Sequence, residues 1–311
     1  MKSTLSVLSA IATACSIAAA MPEKCYLFCY FTGNGEDGLH LASSGDGLKW
    51  EALKGGKSFL PPEVGGKLMR DPCITQGPDG TFHMVWTDSW KGGTIGYASS
   101  KDLITWSSQK SLPVMAGEPT VKNCWAPEIV YQPPAKQFTI FWASTIPGRF
   151  PETELEGKND SNHRIYATST GDFADFSQTK LFFDPGFNCI DSTIFMSEGK
   201  SVMIFKDETK APKPMKNLRL ATAASSAGPW KVAEKPVTPP GSWVEGPSVL
   251  NTGDGVILYF DAYTKGHYCA MKSKDLNTWE DATAALVMPK GIRHGTAFEV
   301  SPAVMEALRK Q

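Results

Sequence analysis

The stretch "TIGYASSKDLITW", from Thr94 to Trp106, combines a short alternating strand, a polar turn and an aromatic residue. Four related stretches occur elsewhere in the chain: "GLHLASSGDGLKW" (Gly38 to Trp50), "HRIYATSTGDFADF" (His163 to Phe176), "RLATAASSAGPW" (Arg219 to Trp230) and "HYCAMKSKDLNTW" (His267 to Trp279). Alternation of apolar and polar residues predicts a strand with one buried face. Five copies in register therefore predict a repeat architecture built from β-strands.

Two further strand patterns come before most of these copies. The nearer one is an apolar run rich in aromatic and β-branched residues, as in "TFHMVWT", "FTIFWAST", "SVMIFKD" and "GVILYFDAY". The farther one carries an acid, as in "RDPCI", "WAPEIVY", "IDSTIF" and "EGPSVL". Gly, Pro and Asp residues between the two patterns are typical of hairpin turns. The order of acid-bearing strand, apolar strand and alternating strand is thus complete four times.

The first copy has no acid-bearing strand before it, and the end of the chain carries one to spare, "RHGTAFEV" (Arg293 to Val300). Pairing of the N- and C-terminal strands would complete a fifth unit and leave only short, protected sheet edges. We therefore predict an all-β fold, a five-bladed β-propeller that forms a single domain over residues 21–311. A β-sandwich with coincidental similarity among its strands is the alternative.

The N-terminal stretch "MKSTLSVLSAIATACSIAAA" has a lysine, a short apolar run and then small residues. This order is typical of a secretory signal peptide, and we predict cleavage near Ala20 and an extracellular protein. A buried first helix is the alternative, because the run is too short to span a bilayer.

The net charge of the chain narrows the classes of partner. A net charge of -1 over 311 residues gives no electrostatic reason to expect nucleic acid or an anionic membrane, so a neutral ligand and a monomer are expected.

Six of the seven cysteines remain once Cys15 is removed with the signal. Six cysteines in an exported chain permit up to three disulfides, and buried free thiols are the alternative.

The acids of the acid-bearing strands are the candidate functional residues. The innermost strand of each propeller blade lines the central channel, so acids at matched places on these strands converge. The residues concerned are Asp71, Glu128, Asp191 and Glu245, with Arg293 and His294 on the fifth strand. Converging carboxylates repel one another, which raises some pKa values and favours a shared proton or a bound cation. One acid before a strand is commonly a turn cap, whereas four matched acids indicate a site.

The segments "MRDPCI", "NCWAPEIVY", "NCIDSTIF" and "WVEGPSV", in this order, resemble glycoside hydrolase family 43. Members of that family are five-bladed propeller enzymes that act on polysaccharides containing arabinose and xylose. The resemblance covers nearly all of the chain after residue 20, including the closing "RHG". It implies that Asp71 is the general base, Glu245 the general acid and Asp191 the aspartate that orients and tunes the acid. It also implies an inverting reaction, in which two carboxyl groups stand far enough apart to admit a water molecule.

Further residues are candidates for binding. Trp125 and Trp90 could stack on a sugar ring, with core packing as the alternative. The resemblance implies that Arg293 bonds the terminal sugar and that His294 holds a cation or water on the axis, where a structural calcium ion is a candidate. No cofactor is required. Glu128 departs from the aspartate that usually follows "WAP" in the family, and we interpret it as a hydrogen-bonded structural acid.

The expected function is secreted hydrolysis of plant-type oligo- or polysaccharides with release of a terminal α-L-arabinofuranosyl or β-D-xylosyl residue. The alternatives are an exo-galactanase, an endo-arabinanase or a non-catalytic carbohydrate-binding propeller. Invertase-like hydrolases need an Asn-Asp-Pro-Asn stretch near the start, which this sequence lacks. Sialidases need three arginines, whereas the predicted inner strands offer only Arg70 and Arg293. The loop "IPGRFPETELEGKNDSN", residues 146–162, is long for a propeller connection, and we predict that it narrows the site into a pocket for exo action.

Overall fold

The computed structural model describes residues 24–156 and 161–311, so the predicted signal peptide lies outside the described residues. Within them the chain forms five antiparallel sheets of four strands each. The innermost strands of successive sheets lie next to one another around a common axis. The predicted five-bladed propeller is confirmed.

The strands follow the chain in a regular order. They are β1 (Cys25–Tyr30), β2 (His40–Ser44), β3 (Glu51–Ala52), β4 (Arg70–Gln76), β5 (Phe82–Thr87), β6 (Ile95–Ser100), β7 (Lys110–Leu112), β8 (Trp125–Gln132), β9 (Gln137–Thr145), β10 (His163–Thr170), β11 (Lys180–Phe183), β12 (Cys189–Ser197), β13 (Lys200–Asp207), β14 (Asn217–Ala223), β15 (Lys231–Val232), β16 (Glu245–Asn251), β17 (Val256–Ala262), β18 (His267–Ser273), β19 (Glu280–Asp281) and β20 (Thr296–Val300). Short 3-10 helices occur at Leu53–Gly56, Pro151–Glu156 and Thr283–Ala285, and one α-helix, α1, spans Pro302–Arg309.

Four blades are continuous in sequence and the fifth joins the two ends of the chain. From the axis outward, blade one is β4 to β7, blade two β8 to β11, blade three β12 to β15, blade four β16 to β19, and blade five β20 followed by β1 to β3. In blade five Cys25 pairs with Val300 and Cys29 pairs with Thr296. The predicted closure by terminal strands is therefore confirmed. Gly295 permits it, because a Cβ there would lie 1.9 Å from the carbonyl oxygen of Cys29.

The outermost strand of each blade and the helix α1 were not predicted from the sequence. The outer strands have two to four residues, which is too short for a periodic pattern. Helix α1 begins with Ser301 as its N-cap, whose side chain accepts a hydrogen bond from the Val304 N–H, and Pro302 occupies the first turn. Met305 and Leu308 bury its apolar face against blade five.

The repeated polar turn has a local physical cause. In the copy that starts at Thr94, Ser100 Oγ accepts the N–H of Leu103 at 2.8 Å, and Asp102 Oδ1 accepts the N–H groups of Ile104 and Thr105 at 2.9 and 2.7 Å. The same pattern of bonds forms around Asp46, Asp172 and Asp275. The conserved spacing of Ser or Thr and Asp within the chain is thus a turn signal, since both side chains satisfy backbone donors.

The cysteines serve packing. All six cysteines among the described residues are free thiols, and five of them are buried in the blades. The sequence left disulfides and buried thiols open, and the structure selects the thiols. No helix in the described residues has the length and apolar content needed to cross a lipid bilayer.

The bonds that Asp102 accepts in the repeated turn predict the effect of Asp102→Ala on stability. Two backbone N–H groups lose their acceptor, so we expect the free energy of unfolding to fall by about 1–2 kcal/mol. Asp102→Asn keeps an acceptor oxygen in the same place and serves as the matched control. Urea denaturation followed by tryptophan fluorescence measures both. An alanine variant with the wild-type midpoint would contradict the account.

Candidate active site

The inner strands of blades one to four each begin with a β-bulge, which decides which side chains face the axis. The residue at the bulge has a left-handed backbone in every case. The four residues are Asp71 (φ 50°), Ala126 (φ 47°), Asp191 (φ 49°) and Gly246 (φ 61°). Three of them are not glycine, so the fold holds strained backbone at the end of the channel.

Matching the strands on this bulge gives three layers around the axis. The layers are stacked along the axis, and the one nearest the mouth of the channel, which we call the outermost layer, consists of Arg70, Trp125, Ile190, Glu245 and Arg293. The bulge layer consists of Asp71, Ala126, Asp191, Gly246 and His294. The layer beneath consists of Cys73, Glu128, Thr193, Ser248 and Thr296. Blade five fits the scheme because the Arg293 N–H donates to the Phe31 carbonyl and extends the β1–β20 ladder.

The layers correct one inference from the sequence. The four acids do not occupy matched places: Asp71 and Asp191 share the bulge layer, Glu245 lies one layer above and Glu128 one layer below. A bulge adds a residue to one strand, and this shift leaves no trace in the hydrophobic pattern.

One cleft of about 440 Å³ opens at this end of the axis. All seven residues singled out for catalysis and binding line it, namely Asp71, Asp191, Glu245, Trp125, Trp90, Arg293 and His294. The structure therefore brings together residues that lie far apart in sequence.

His294 lies between the two aspartates of the bulge layer. Its Nδ1 is 3.4 Å from Asp71 Oδ1 and 3.9 Å from Asp191 Oδ2. Burial lowers the pKa of His294, but the bond to Asp71 and the negative charges of both aspartates outweigh burial and raise the pKa to about 9. The imidazole is therefore a cation at neutral pH. Gly246 makes room for it, since a Cβ there would lie 2.5 Å from His294 Cγ.

The two aspartates differ in pKa. Burial raises the pKa of Asp71, but the hydrogen bond and charge of His294, with Arg70, outweigh burial and lower the pKa below its ordinary value. Burial raises the pKa of Asp191 to about 6, and the charges of Glu245 and Asp71 act in the same direction. Asp71 is thus the carboxylate that stays ionised, which a general base must be.

Hydrogen bonds fix both aspartates and connect them to neighbouring blades. Thr87 Oγ1 donates to Asp71 Oδ2 at 2.8 Å and accepts the Ala126 N–H of blade two at 2.8 Å. Asp191 Oδ2 accepts the Gly246 N–H of blade four at 3.1 Å. Asp71 is thus tied to blade two through Thr87 of its own blade, and Asp191 is bonded directly to blade four.

Glu245 is held by two cations. Lys206 Nζ lies 3.0 Å from its Oε2, and Arg293 Nη2 lies 3.2 Å from its Oε1. Lys206 also pairs with Glu208 at 2.8 Å, and Arg293 Nε donates to Asp261 Oδ2 at 2.6 Å. The expected repulsion among the acids is thus offset by the positive charges of Lys206 and Arg293.

Sequence reasoning missed Thr87, Lys206 and Asp261. Each lies near the end of an apolar second strand and pairs there with a residue of the outermost layer: Arg70 with Thr87, Ile190 with Lys206, and Glu245 with Asp261. The signal was present, since a lysine that ends the apolar run "VMIFK" has no role in a packed strand.

An aromatic wall closes the side of the cleft formed by blades one and two. Trp90 and Trp125 meet edge to face at 5.7 Å, and Trp125 Nε1 donates to the Trp90 carbonyl. The Arg70 guanidinium lies over Trp90 at 4.2 Å, and Asn34 Oδ1 accepts from both Arg70 and Trp90. Trp90 remains 46% exposed, so one face is free for a ligand.

Comparison with known proteins agrees with this geometry. A family model described as "Probable glycosyl hydrolase domain", related to glycoside hydrolase family 43, matches residues 22–306. The chain belongs to this family. No curated protein sequence matches it.

Solved structures share the fold of this family 43-related chain. An α-L-arabinofuranosidase from Lactobacillus brevis has 20% identity and a TM-score of 0.52, over 69% of this chain and 72% of that one. A family 117 glycoside hydrolase from Zobellia galactanivorans has 15% identity and a TM-score of 0.54, over 69% and 68%. An exo-β-1,3-galactanase from Clostridium thermocellum has 15% identity and a TM-score of 0.53, over 71% and 50%. At these identities the likeness concerns the propeller alone.

Glu128 lies in the layer beneath the site and does not line the cleft. Burial raises its pKa to about 8, against a hydrogen bond with Thr193, so the carboxyl is neutral at neutral pH. Its Oε1 has no hydrogen-bond partner among the described residues, and its role as a structural acid stays a prediction.

The residues on the axis do not fit a calcium ion. Calcium prefers roughly six to eight oxygen ligands. In the part of the chain that the structure describes, no group of three or more His, Cys, Asp or Glu side chains is arranged to hold a metal ion. The inner strands instead present the protonated ring of His294 in the bulge layer, with the Cys73 thiol in the layer beneath.

The loop over residues 146–162 lies beside the cleft. Arg164 anchors it, donating to Thr153 Oγ1 and to Asn162 Oδ1 and stacking on Phe150 at 4.3 Å. None of residues 146–154 and 161–162 lines the cleft. The predicted narrowing by this loop therefore has no support from its described part.

The position of His294 predicts a titration at alkaline pH. Its pKa is raised in the folded chain, so its pairing with Asp71 stabilises the fold fully below about pH 6.5 and is lost as pH rises through about 9. NMR of the imidazole nitrogens should give a midpoint near 9. His294→Gln identifies the signal by removing it. A midpoint at or below 6.5 would contradict the charged bridge.

Proposed function

We propose that this family 43-related chain is a secreted glycoside hydrolase that releases terminal pentose residues, α-L-arabinofuranosyl or β-D-xylosyl, with inversion at the anomeric carbon. The observation that supports it most is the single axial cleft, in which Asp71, Asp191 and Glu245 approach from three different inner strands. Carboxyls on separate strands can face opposite sides of one sugar ring, as inversion requires.

In the proposed reaction Asp71 accepts a proton from a water molecule while the water oxygen bonds to the anomeric carbon. Glu245 donates a proton to the glycosidic oxygen, and the bond from that oxygen to the anomeric carbon breaks. The bonds from Thr87 and His294 hold Asp71 ionised and oriented. The water proton ends on Asp71 and the leaving group departs as an alcohol.

Asp191 acts as a positioning residue. It pairs with His294 and accepts the Gly246 N–H, which fixes the backbone beside Glu245. Arg293 and Lys206 hold the Glu245 carboxyl from both sides, so the acid has one orientation. Precise placement of this kind contributes much of an enzyme's rate.

A terminal pentose fits the aromatic wall. Trp90 offers an exposed apolar face, and Arg70 and Asn34 beside it supply a donor and an acceptor for ring hydroxyls. The α-L-arabinofuranosidase of similar fold agrees with a pentose as substrate. Secretion is proposed from the N-terminal sequence.

Substitution of the acid and the base should separate their roles. Glu245→Gln should lower kcat for a nitrophenyl pentoside or a natural oligosaccharide by ~10²–10⁴-fold and spare a dinitrophenyl pentoside, whose leaving group needs no proton. Asp71→Asn should lower kcat for all three substrates. Glu299→Gln, on the exposed side of β20, is the matched control. Wild-type turnover of the nitrophenyl substrate by Glu245→Gln would overturn the acid assignment.

The mode of action is tested on debranched arabinan. Exo action on a terminal pentose should release free monosaccharide from the first turnovers onward, as measured by anion-exchange chromatography. Early accumulation of internal oligomers would contradict exo action.

A further inference from the structure

Four positively charged side chains line the axial cleft, namely Arg70, Lys206, Arg293 and His294. Three of them, Lys206, Arg293 and His294, are paired with acids of the chain. Arg70 forms no ion pair with any carboxylate of the described residues, and its hydrogen bonds go to Asn34 alone. Arg70 is therefore the cation of the cleft that is left for a ligand.

Aromatic rings hold the guanidinium of Arg70 in place. Its Cζ lies 4.6 Å from the ring centre of Phe31 and 4.2 Å from that of Trp90. Phe31 is fully buried directly after β1, so it gives the guanidinium a firm support. Contact with the faces of rings leaves the edges of a guanidinium free for hydrogen bonds in its own plane.

The donors of Arg70 are largely unused. Nη1 donates to Asn34 Oδ1 at 3.2 Å and to the Asn34 carbonyl at 3.5 Å. Nε and Nη2 make no hydrogen bond to the described residues, and both are open to solvent. These two groups form one edge of the guanidinium, and a carboxylate bridges such an edge with two parallel hydrogen bonds.

Arg293 provides a comparison within the same cleft. The corresponding edge of its guanidinium is fully used, because Nε donates to Asp261 Oδ2 at 2.6 Å and Nη2 to Glu245 Oε1 at 3.2 Å. Both arginines lie near the ring of Phe31, at 4.6 and 5.8 Å. One arginine thus serves acids of the chain, whereas the other has the same chemistry available for a substrate.

The neighbouring acid does not use this edge. Asp71 follows Arg70 in the chain, but Thr87 donates to its Oδ2 and His294 Nδ1 lies 3.4 Å from its Oδ1. Both oxygens of Asp71 are therefore committed elsewhere. Arg70 lies one layer above Asp71 on the same strand, so a sugar that is attacked by water at Asp71 has the guanidinium beside it.

A uronate matches this arrangement. It has the ring of a pentopyranose with a carboxylate added at C5, so β-D-glucuronate differs from β-D-xylose in that group alone. The anomeric carbon is unchanged, and Asp71 and Glu245 would act on it as they act on a pentose. The carboxylate would give the Nε and Nη2 groups of Arg70 their acceptors.

We propose that the cleft takes acidic saccharides, in which a terminal uronate places its carboxylate on the Nε and Nη2 edge of Arg70. The proposal rests on the proposed hydrolase function of the cleft and extends its substrates from pentoses to uronates. Arg70 is then the residue that distinguishes an acidic terminal sugar from a neutral one.

The test measures competitive inhibition of aryl pentoside turnover by the full chain. Methyl β-D-glucuronide and methyl β-D-xyloside are the two inhibitors, since they differ only in the carboxylate. The glucuronide should inhibit the wild type at concentrations lower by about 10–100-fold, the effect of hydrogen bonds to a charged group. A nitrophenyl β-D-glucuronide should also be cleaved.

Substitutions of Arg70 assign the preference to its edge. Arg70→Met should remove the preference for the glucuronide, and Arg70→Lys should keep only part of it, because an ammonium group lacks the two-donor edge. Arg309→Met is the matched control, since Arg309 is exposed at the end of α1 and does not line the cleft.

Equal inhibition of the wild type by both glycosides, or a preference that survives in Arg70→Met, would overturn the proposal and leave the proposed function intact. Methyl β-D-glucoside 6-sulfate separates the two anions that such an edge could bind. If it binds more tightly than the glucuronide and loses that affinity in Arg70→Met, the anion is a sulfate ester and the uronate is overturned.

Failure of the wild-type chain to cleave the aryl pentosides and the aryl glucuronide would overturn the proposed function instead. Calorimetry with methyl β-D-glucuronide then tests Arg70 by itself. Weaker binding to Arg70→Met than to Arg309→Met would support the carboxylate edge. Equal affinity of the two variants, or no binding to the wild type, would overturn it.

Discussion

The pairing of β1 with β20 is the constraint on which the site depends. These strands come from the two ends of the chain, and their ladder carries Arg293 and His294 to the axis through the bond from the Arg293 N–H to Phe31. Without closure, Asp71 and Asp191 would lack the imidazolium between them, and Glu245 would lack one of its two cations. Ring closure and assembly of the cleft are therefore one event.

The balance of charge in the cleft follows from the same geometry. Each acid that lines the cleft floor has a cation beside it: His294 for Asp71 and Asp191, and Lys206 with Arg293 for Glu245. Buried charges are tolerated when they are paired and hydrogen-bonded. The hydrogen bond and charge of His294 lower the pKa of Asp71, whereas burial raises the pKa of Asp191 to about 6, so the neighbouring aspartates differ in acidity.

The sequence predicts the blades because their signals are local. The Ser-x-Asp turns, the apolar second strands and the spare terminal strand each repeat, and together they specify number of blades and closure. The bulges carry no such signal, because a left-handed residue at Asp71 or Ala126 looks like any strand start. For that reason the sequence wrongly places Glu245 and Glu128 in the same layer as Asp71 and Asp191. Lys206 was missed because its partner, Glu245, belongs to the next blade, and the sequence of one strand does not show which residues of another blade it will contact.

The central claim is that one water molecule, activated by Asp71, attacks from the face opposite the leaving group that Glu245 protonates. The most direct measurement is proton NMR of the reaction as it starts, which shows the anomer of the sugar before mutarotation. Inversion predicts that the first product has the anomeric configuration opposite to that of the substrate. A first product with the configuration of the substrate would contradict the account.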